Sequence, residues 1–528
     1  MKPWLPGLAR TTSKESQYAS RYIIALTVTL ASVLELLDTS IVNVAIPHMM
    51  GTLGATLDEI AWVSTGYVVA NVIVLPISGW LSVQFGRRNY FAFSIIVFII
   101  SSVACGNATS LGGLVFWRIV QGLGGGGLLS TAQSTLSEVF PPQEMGSAFA
   151  IFGLGIMVGP MLGPTVGGYL TENYSWPWIF YINVPLGALA LLLSLQFVPD
   201  SRHGKKAESV DYIGLLLLAI GVGALQTLLE RGERLEWLES NEVITYIVAS
   251  ILGLSAFIIR QLEIEHPIVD VRVVKDKQFA AGMIFGFILG AALYSTVFVF
   301  PVYVQTLMGF NAWQTGMAIL PSAIASGIMM MMSSKLLQRG VKPTRIIFTG
   351  VVIFLFSMWQ HQHFTTLSGA DDFFWPLVLR GIGLGLIFVP LSSVAMANIP
   401  LHETPNATGI YNLCRQLGGS VGIAVSATLL SSLQNANRSS LLVHTALNDP
   451  ATQERLQALQ QHFASLSPSE GVAKARALAT LSNQISKQAA MLSYEQLFFG
   501  FGLVMLLVLP LLTVMKKTRA GNISSDAH

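Results

Sequence analysis

Apolar runs of membrane-crossing length recur along the chain from near Arg21 to near Lys516, separated by short polar breaks. A bilayer takes about 20 apolar residues per helix, so each run predicts a transmembrane helix. The runs fall at 22–46, 60–83, 90–107, 111–133, 146–170, 177–198, 211–229, 243–260, 279–303, 315–336, 344–360, 372–398, 405–432 and 493–515. An even number of spans puts both termini on one side. The expected organisation is a tail at 1–21, a six-helix bundle at 22–200, and polar loops with two inserted helices at 201–278. A second six-helix bundle follows at 279–515, carrying a long loop at 433–492, and the chain closes with a tail at 516–528. The loop is polar and rich in Gln, Ala and Ser, which suits either a helical hairpin or a flexible tether.

Of the 528 residues 52% are hydrophobic and 11% charged, against roughly 25% charged in ordinary soluble domains. The net charge of +2 is spread over loops without forming a patch, which argues against a nucleic-acid partner. Twenty of the 30 Lys and Arg residues fall on the side shared by the termini, against two in the short loops opposite. The positive-inside rule therefore places both termini in the cytoplasm. Cys105 and Cys414 lie in apolar runs and read as small packed hydrophobes. No small-residue cleavage site follows a short apolar core near the start, so the first run reads as a retained span, not a removed signal peptide.

Ionisable groups at membrane depth cost a few kcal/mol each, so those present call for a role. Glu35 and Asp38 stand three apart in the first span, on one helix face. Two such carboxyls in low dielectric resist ionising together, so the pair is a candidate for binding and releasing a proton; the plainer reading is an ion pair that locks two helices. Arg118 in the fourth span is the natural counter-charge. Arg380 sits near the outer end of its span, within snorkelling reach, and Arg415 lies deeper, toward a substrate path.

The halves echo one another: Arg118 opens Arg-Ile-Val-Gln-Gly-Leu-Gly-Gly and Arg380 opens Arg-Gly-Ile-Gly-Leu-Gly. With the helices at 211–260 read as an insertion, each arginine falls in the fourth helix of its half, as in a transporter built from two similar bundles. In the fifth span Gly155, Gly159, Gly163 and Gly167 recur every four residues, with Pro160 and Pro164 beside them. That ladder predicts close helix packing or a hinge-like seam between the half-bundles. Gly122 to Gly127 contains GxGxxG, but it lies in a membrane span and follows no strand, so it carries no dinucleotide site. His361 and His363 read as solvated loop residues, not metal ligands, and no Walker sequence points to ATP. Neither a metal nor another cofactor is expected.

The run from Leu37 through Asp38, Asn43 and Pro47 resembles the first-helix motif of the fourteen-helix drug/proton antiporter branch of the major facilitator superfamily, the EmrB/QacA type. Arg118 to Gly124 resembles its motif B, and Gly155 through Gly168 its motif C, the pattern associated with exporters. Gly79, Gly86, Arg87 and Arg88 keep the loop pattern called motif A. Val83 and Gln84 depart from it, standing where many members have Asp and Arg. The resemblance extends over essentially the whole chain and implies an all-α major facilitator fold. It also implies Asp38 and Arg118 as coupling residues, with Asn43 and Gln121 as polar partners lining the cavity. Glu35 lies outside the usual motif.

Trp176 to Pro185 and the long last outer loop look closer to the Gram-negative EmrB type. This implies a bacterial inner-membrane location, a periplasmic adaptor of the EmrA kind and an outer-membrane channel of the TolC kind. The expected activity is proton-driven multidrug efflux of small amphipathic or hydrophobic compounds. A dedicated metabolite or siderophore exporter is the near alternative, and a non-transporting receptor or scaffold the alternative of another class.

Overall fold

The structure, a computed structural model, describes residues 14–141, 144–200, 210–265, 267–366, 368–400, 402–445, 450–465 and 470–515. Most of the N-terminal tail and the whole C-terminal tail therefore lie outside the described residues. Helices account for nearly all of the rest, and no strand occurs among the described residues.

The first half contains α1 (Lys14–Leu53), α2 (Leu57–Phe85), α3 (Arg87–Gly106), α4 (Leu111–Gly125), α5 (Leu128–Val139), α6 (Met145–Asn173), α7 (Trp178–Tyr181) and α8 (Asn183–Phe197). Next come α9 (Tyr212–Arg231) and α10 (Asn241–Glu263), the inserted pair. The second half holds α11 (Lys277–Thr306), α12 (Ala312–Gln338), α13 (Pro343–His361), α14 (Ala370–Met396), α15 (Thr404–His444), α16 (Pro450–Ala464), α17 (Glu470–Leu506) and α18 (Leu511–Val514). Thirteen of the described segments are long and apolar enough to cross a membrane. The fourteenth predicted span is the broken rod α4–α5, interrupted at Gly126 and Gly127. A side chain at Gly126 would strike the Asn71 backbone, so this glycine lets α2 run against the break.

Local signals explain several helix ends. Thr56 and Glu59 form a reciprocal capping box at the start of α2, and Asn311 and Gln314 form another at α12. Pro343 opens α13, where its missing N–H costs nothing.

Within the first half α1 packs mainly on α6, and within the second α11 packs on α15 and α12 on α14. The halves meet where α6 runs along α12 and where α2 and α5 meet α15. The inserted helices pack on each other, and α9 lies against α2 and α15, over one seam.

The glycine ladder corrects one expectation. Gly155 abuts Thr29 and Val33, Gly159 abuts Leu36, and Gly163 and Gly167 abut Ser40 and Ile41, all on α1. Its face is thus an internal α1–α6 contact, not a seam between the halves. Other α6 residues make that seam, with Gly146 against Ser334 and Gly153 against Met330. Gly168 is buried, and Pro160 and Pro164 stand half-buried on the same helix.

The polar loop resolves in favour of helix. α15 has 41 residues, which at about 1.5 Å per residue exceeds twice the thickness a bilayer core of roughly 30 Å requires. It continues as a rod into the loop region, where α16 packs on α17 and α17 returns along α15.

Candidate substrate and proton site

Asp38 is fully buried at the middle of α1, where the Gly159 and Gly163 notches let the α1 backbone settle against α6. Arg118 of α4 approaches its Oδ2 at 2.5 Å through Nη1. Two amides donate to its Oδ1: Gln121 Nε2 at 2.9 Å and Asn183 Nδ2 at 2.7 Å. Both amides also donate to Ser102 Oγ, at 3.2 and 3.0 Å. The arginine is held as firmly: Nε donates to the Val63 carbonyl at 3.0 Å, Nη1 to Gln121 Oε1 at 2.8 Å, and the guanidinium lies 4.1 Å from the centre of the Tyr67 ring. An ion pair with this many hydrogen bonds is the arrangement in which a buried charge is tolerated.

Glu35, one turn earlier, is also buried but turns to different partners. Asn71 Nδ2 donates to Oε1 at 2.8 Å, and the backbone N–H of Leu129 in the first turn of α5 also serves the carboxylate, which has no salt bridge of its own among the described residues. No hydrogen bond joins the two carboxyls among the described residues, but Asp38 lies within electrostatic reach of Glu35, and each acid has its own hydrogen-bond partners. From the other half Arg415 on α15 faces Glu35 within electrostatic reach. Arg415 is 2% exposed, its guanidinium lies 5.5 Å from the Phe388 ring centre, and its Nε has no partner. Around this seam the Tyr90, Tyr411 and Ser392 side chains are also buried. Beside them Asn412 of α15 donates to Gln133 Oε1 at 2.9 Å and to Ser130 Oγ at 3.3 Å on α5, joining the two halves.

The remaining predicted residues lie apart. Asn43 does not join the Asp38 network: it is exposed and accepts a 3.1 Å hydrogen bond from Ser64. Arg380 belongs to the interior of the second half and is 3% exposed, so it does not snorkel. Gly79 presses against Pro405 at the start of α15, Gly86 has φ +86°, and Arg87 pairs with Glu138 of α5. The Arg88 N–H donates to Asp200 at 3.2 Å. With Val83 and Gln84 in the last turn of α2, Glu138 of α5 supplies an acid for the motif's arginine. His363 is exposed as expected, whereas His361 is fully buried, with Nδ1 2.8 Å from the Ser357 carbonyl and aromatic rings around it. Among the described residues no cluster of His, Cys, Asp or Glu has the makings of a metal site.

Sequence reasoning missed Asn183, Ser102, Asn71 and Tyr67 as members of the site. Asn183 and Asn71 are amides inside apolar runs, and Tyr67 and Asn71 share a helix face four residues apart, which is the signal that marks them.

A helical membrane body of two packed bundles with a buried ion pair fits a membrane transporter, and the Major Facilitator Superfamily model matches residues 28–423. The chain belongs to that superfamily and to its EmrB-like branch. It is 29% identical to the multidrug export protein EmrB of Escherichia coli K12 over 516 residues, covering 98% of this chain and 99% of that protein. It is 31% identical to the probable multidrug resistance protein EmrY of the same organism, covering 93% of this chain and 94% of that one. The fatty acid resistance protein FarB of Neisseria gonorrhoeae is 30% identical, with 93% of this chain and 96% of that protein covered. Among solved structures the human organic anion transporter MFSD10 (TETRAN) has the same fold, with TM-score 0.56, 13% identity, and coverage of 92% of this chain and 99% of that one.

Proposed function

We propose that the chain is a secondary active exporter of small amphipathic or hydrophobic compounds, driven by proton exchange through alternating access. The observation that carries this reading is the difference between the two acids of α1. Asp38 is saturated by Arg118, Gln121 and Asn183, while buried Glu35 is held only by the neutral donors Asn71 and the Leu129 N–H, with no salt bridge among the described residues, at the seam with the second half. A saturated pair holds a bundle in shape; an acid held by neutral donors is equipped to exchange a proton for a substrate contact.

In this reading Glu35 loads a proton from outside and releases it inside. Substrate and proton compete for the same oxygen, which is the condition for exchange. The Asp38–Arg118 pair holds α1 and α4 together while Glu35 changes state, and Arg415 answers that change from the second half. One charge moving with the field yields about 2.3 kcal/mol per 100 mV, enough to sustain a substrate gradient.

The distribution of basic residues supports an inner-membrane protein with both termini in the cytoplasm. The end closed by Gly79 on Pro405 and by Asn412 on Gln133 then faces the cytoplasm. The rod formed by α15, α16 and α17 projects into the periplasm, where it offers a surface to an adaptor protein and, through it, to an outer-membrane channel. The relatives' names, multidrug and fatty acid resistance, favour amphipathic compounds over a single dedicated metabolite.

The test is substrate-induced proton release from inverted vesicles, with a panel of uncouplers, cationic dyes and fatty acids. Glu35→Gln should abolish release with the protein still inserted; normal coupling in that variant would sink the reading. A non-transporting receptor would show no flux in reconstituted liposomes.

A further inference from the structure

The two halves place an arginine at equivalent points and treat it differently. In the first half Arg118 on α4 reaches Asp38 on α1 and the Val63 carbonyl on α2. In the second half Arg380 on α14, the fourth helix of its bundle, reaches the equivalent first and second helices. Its Nη1 donates to the Thr296 carbonyl on α11 and its Nη2 to Ser322 Oγ on α12, both at 3.4 Å.

The geometry repeats and the acid does not. No carboxylate pairs with Arg380 among the described residues. Its two hydrogen bonds are long and its Nε has none. Thr296 is fully buried, and Arg380 and Ser322 are 3% and 4% exposed. From the third helix, α13, the equally buried His361 lies within electrostatic reach, and its Nε2 is also without a partner. A guanidinium stays charged at any relevant pH, and a buried charge left uncompensated is strongly destabilising.

We propose that Arg380 holds a small monovalent anion of chloride size inside the second bundle, between α11, α12 and α14. The anion takes the place that the Asp38 carboxylate has in the first bundle. Nε and the weakly engaged Nη groups of Arg380 donate to it, and Ser322 Oγ–H supplies a further donor. Enclosure by buried side chains on every helix selects a compact ion over an amphipathic acid. The site is separate from Glu35 and Arg415, so it stands whether or not the exporter reading does.

The experiment is thermal unfolding of the purified full chain in lipid nanodiscs in sodium gluconate, titrated with chloride, bromide or decanoate. The wild type should show a saturable rise in melting temperature of a few degrees with chloride and bromide, through preferential binding to the folded state. Arg380→Gln, which removes the charge, should melt independently of both halides. Should that variant fail to fold, Ser322→Ala should weaken the apparent halide affinity several-fold. A wild type indifferent to halides, an equal response in Arg380→Gln, an unchanged affinity in Ser322→Ala, or stabilisation by decanoate alone would each overturn the proposal.

Discussion

Asn183, at the first turn of α8, donates to Asp38 Oδ1 at 2.7 Å across 145 positions of sequence. Together with Gln121 it leaves that carboxylate oxygen no need of water. Asn183→Leu keeps the volume and removes the donor, so Asp38 loses a charge-assisted bond and Ser102 Oγ one of its two amide donors. The expected cost is about 1.5–3 kcal/mol of stability, read as a lower melting temperature, with transport reduced as Asp38 shifts toward Arg118.

The two acids of α1 should respond oppositely to neutralisation. Glu35→Gln preserves an acceptor for Asn71 Nδ2 and removes a buried carboxyl that has no salt bridge, so the protein should lose little stability while proton exchange is lost. Asp38→Asn leaves Arg118 buried without its counter-charge, and breaking a buried pair from one side costs about 3–5 kcal/mol. Its signature should be poor yield and an early melt. Equal melting of the two variants would refute this division of roles.

Gly163 faces Ser40 so closely that an added side chain cannot fit without moving α1. Gly163→Val should therefore displace the acid-bearing turn and cost transport even where the protein inserts. Gly112, with no atom within 4 Å of an added methyl, is the control: Gly112→Ala should transport normally. Transport assays on membranes with matched protein levels separate the outcomes.

Gly79 holds the closed end by contact with the Pro405 backbone. Gly79→Val should prevent that end from closing and favour the opposite state. Asn412→Cys, hidden beside Gln133 in the wild-type background, should then become reactive to an impermeant thiol reagent in inverted vesicles. Unchanged protection would argue that α2 and α15 do not gate this end.

The helical body was legible because membrane-crossing length is a strong, local signal: thirteen continuous spans fall on predicted runs. The break between α4 and α5 was not, because glycines in a helix are tolerated and only the Asn71 backbone opposite Gly126 gives them a purpose. Asp38, Arg118 and Gln121 could be picked out as polar residues at membrane depth, and the structure brings all three together. Direction was beyond reach of the sequence. Three-residue spacing puts Glu35 and Asp38 on one helix face, yet the carboxyls part company because Asn71 and Arg118 approach from different neighbours. The same limit explains the glycine ladder, whose period marks a packing face without saying which helix fills it, and His361, whose position at a helix end hid its enclosure by Phe300, Phe364 and Phe498.

α15 is one unbroken rod of 41 residues whose first part meets α2 and α5. Any tilt of the second half about the first is multiplied along such a lever, so a shift of a side chain's width beside Arg415 becomes a far larger sweep at its tip. In the proposed alternating-access cycle, a protein resting on that tip would sense each turnover as mechanical displacement, with no second messenger required.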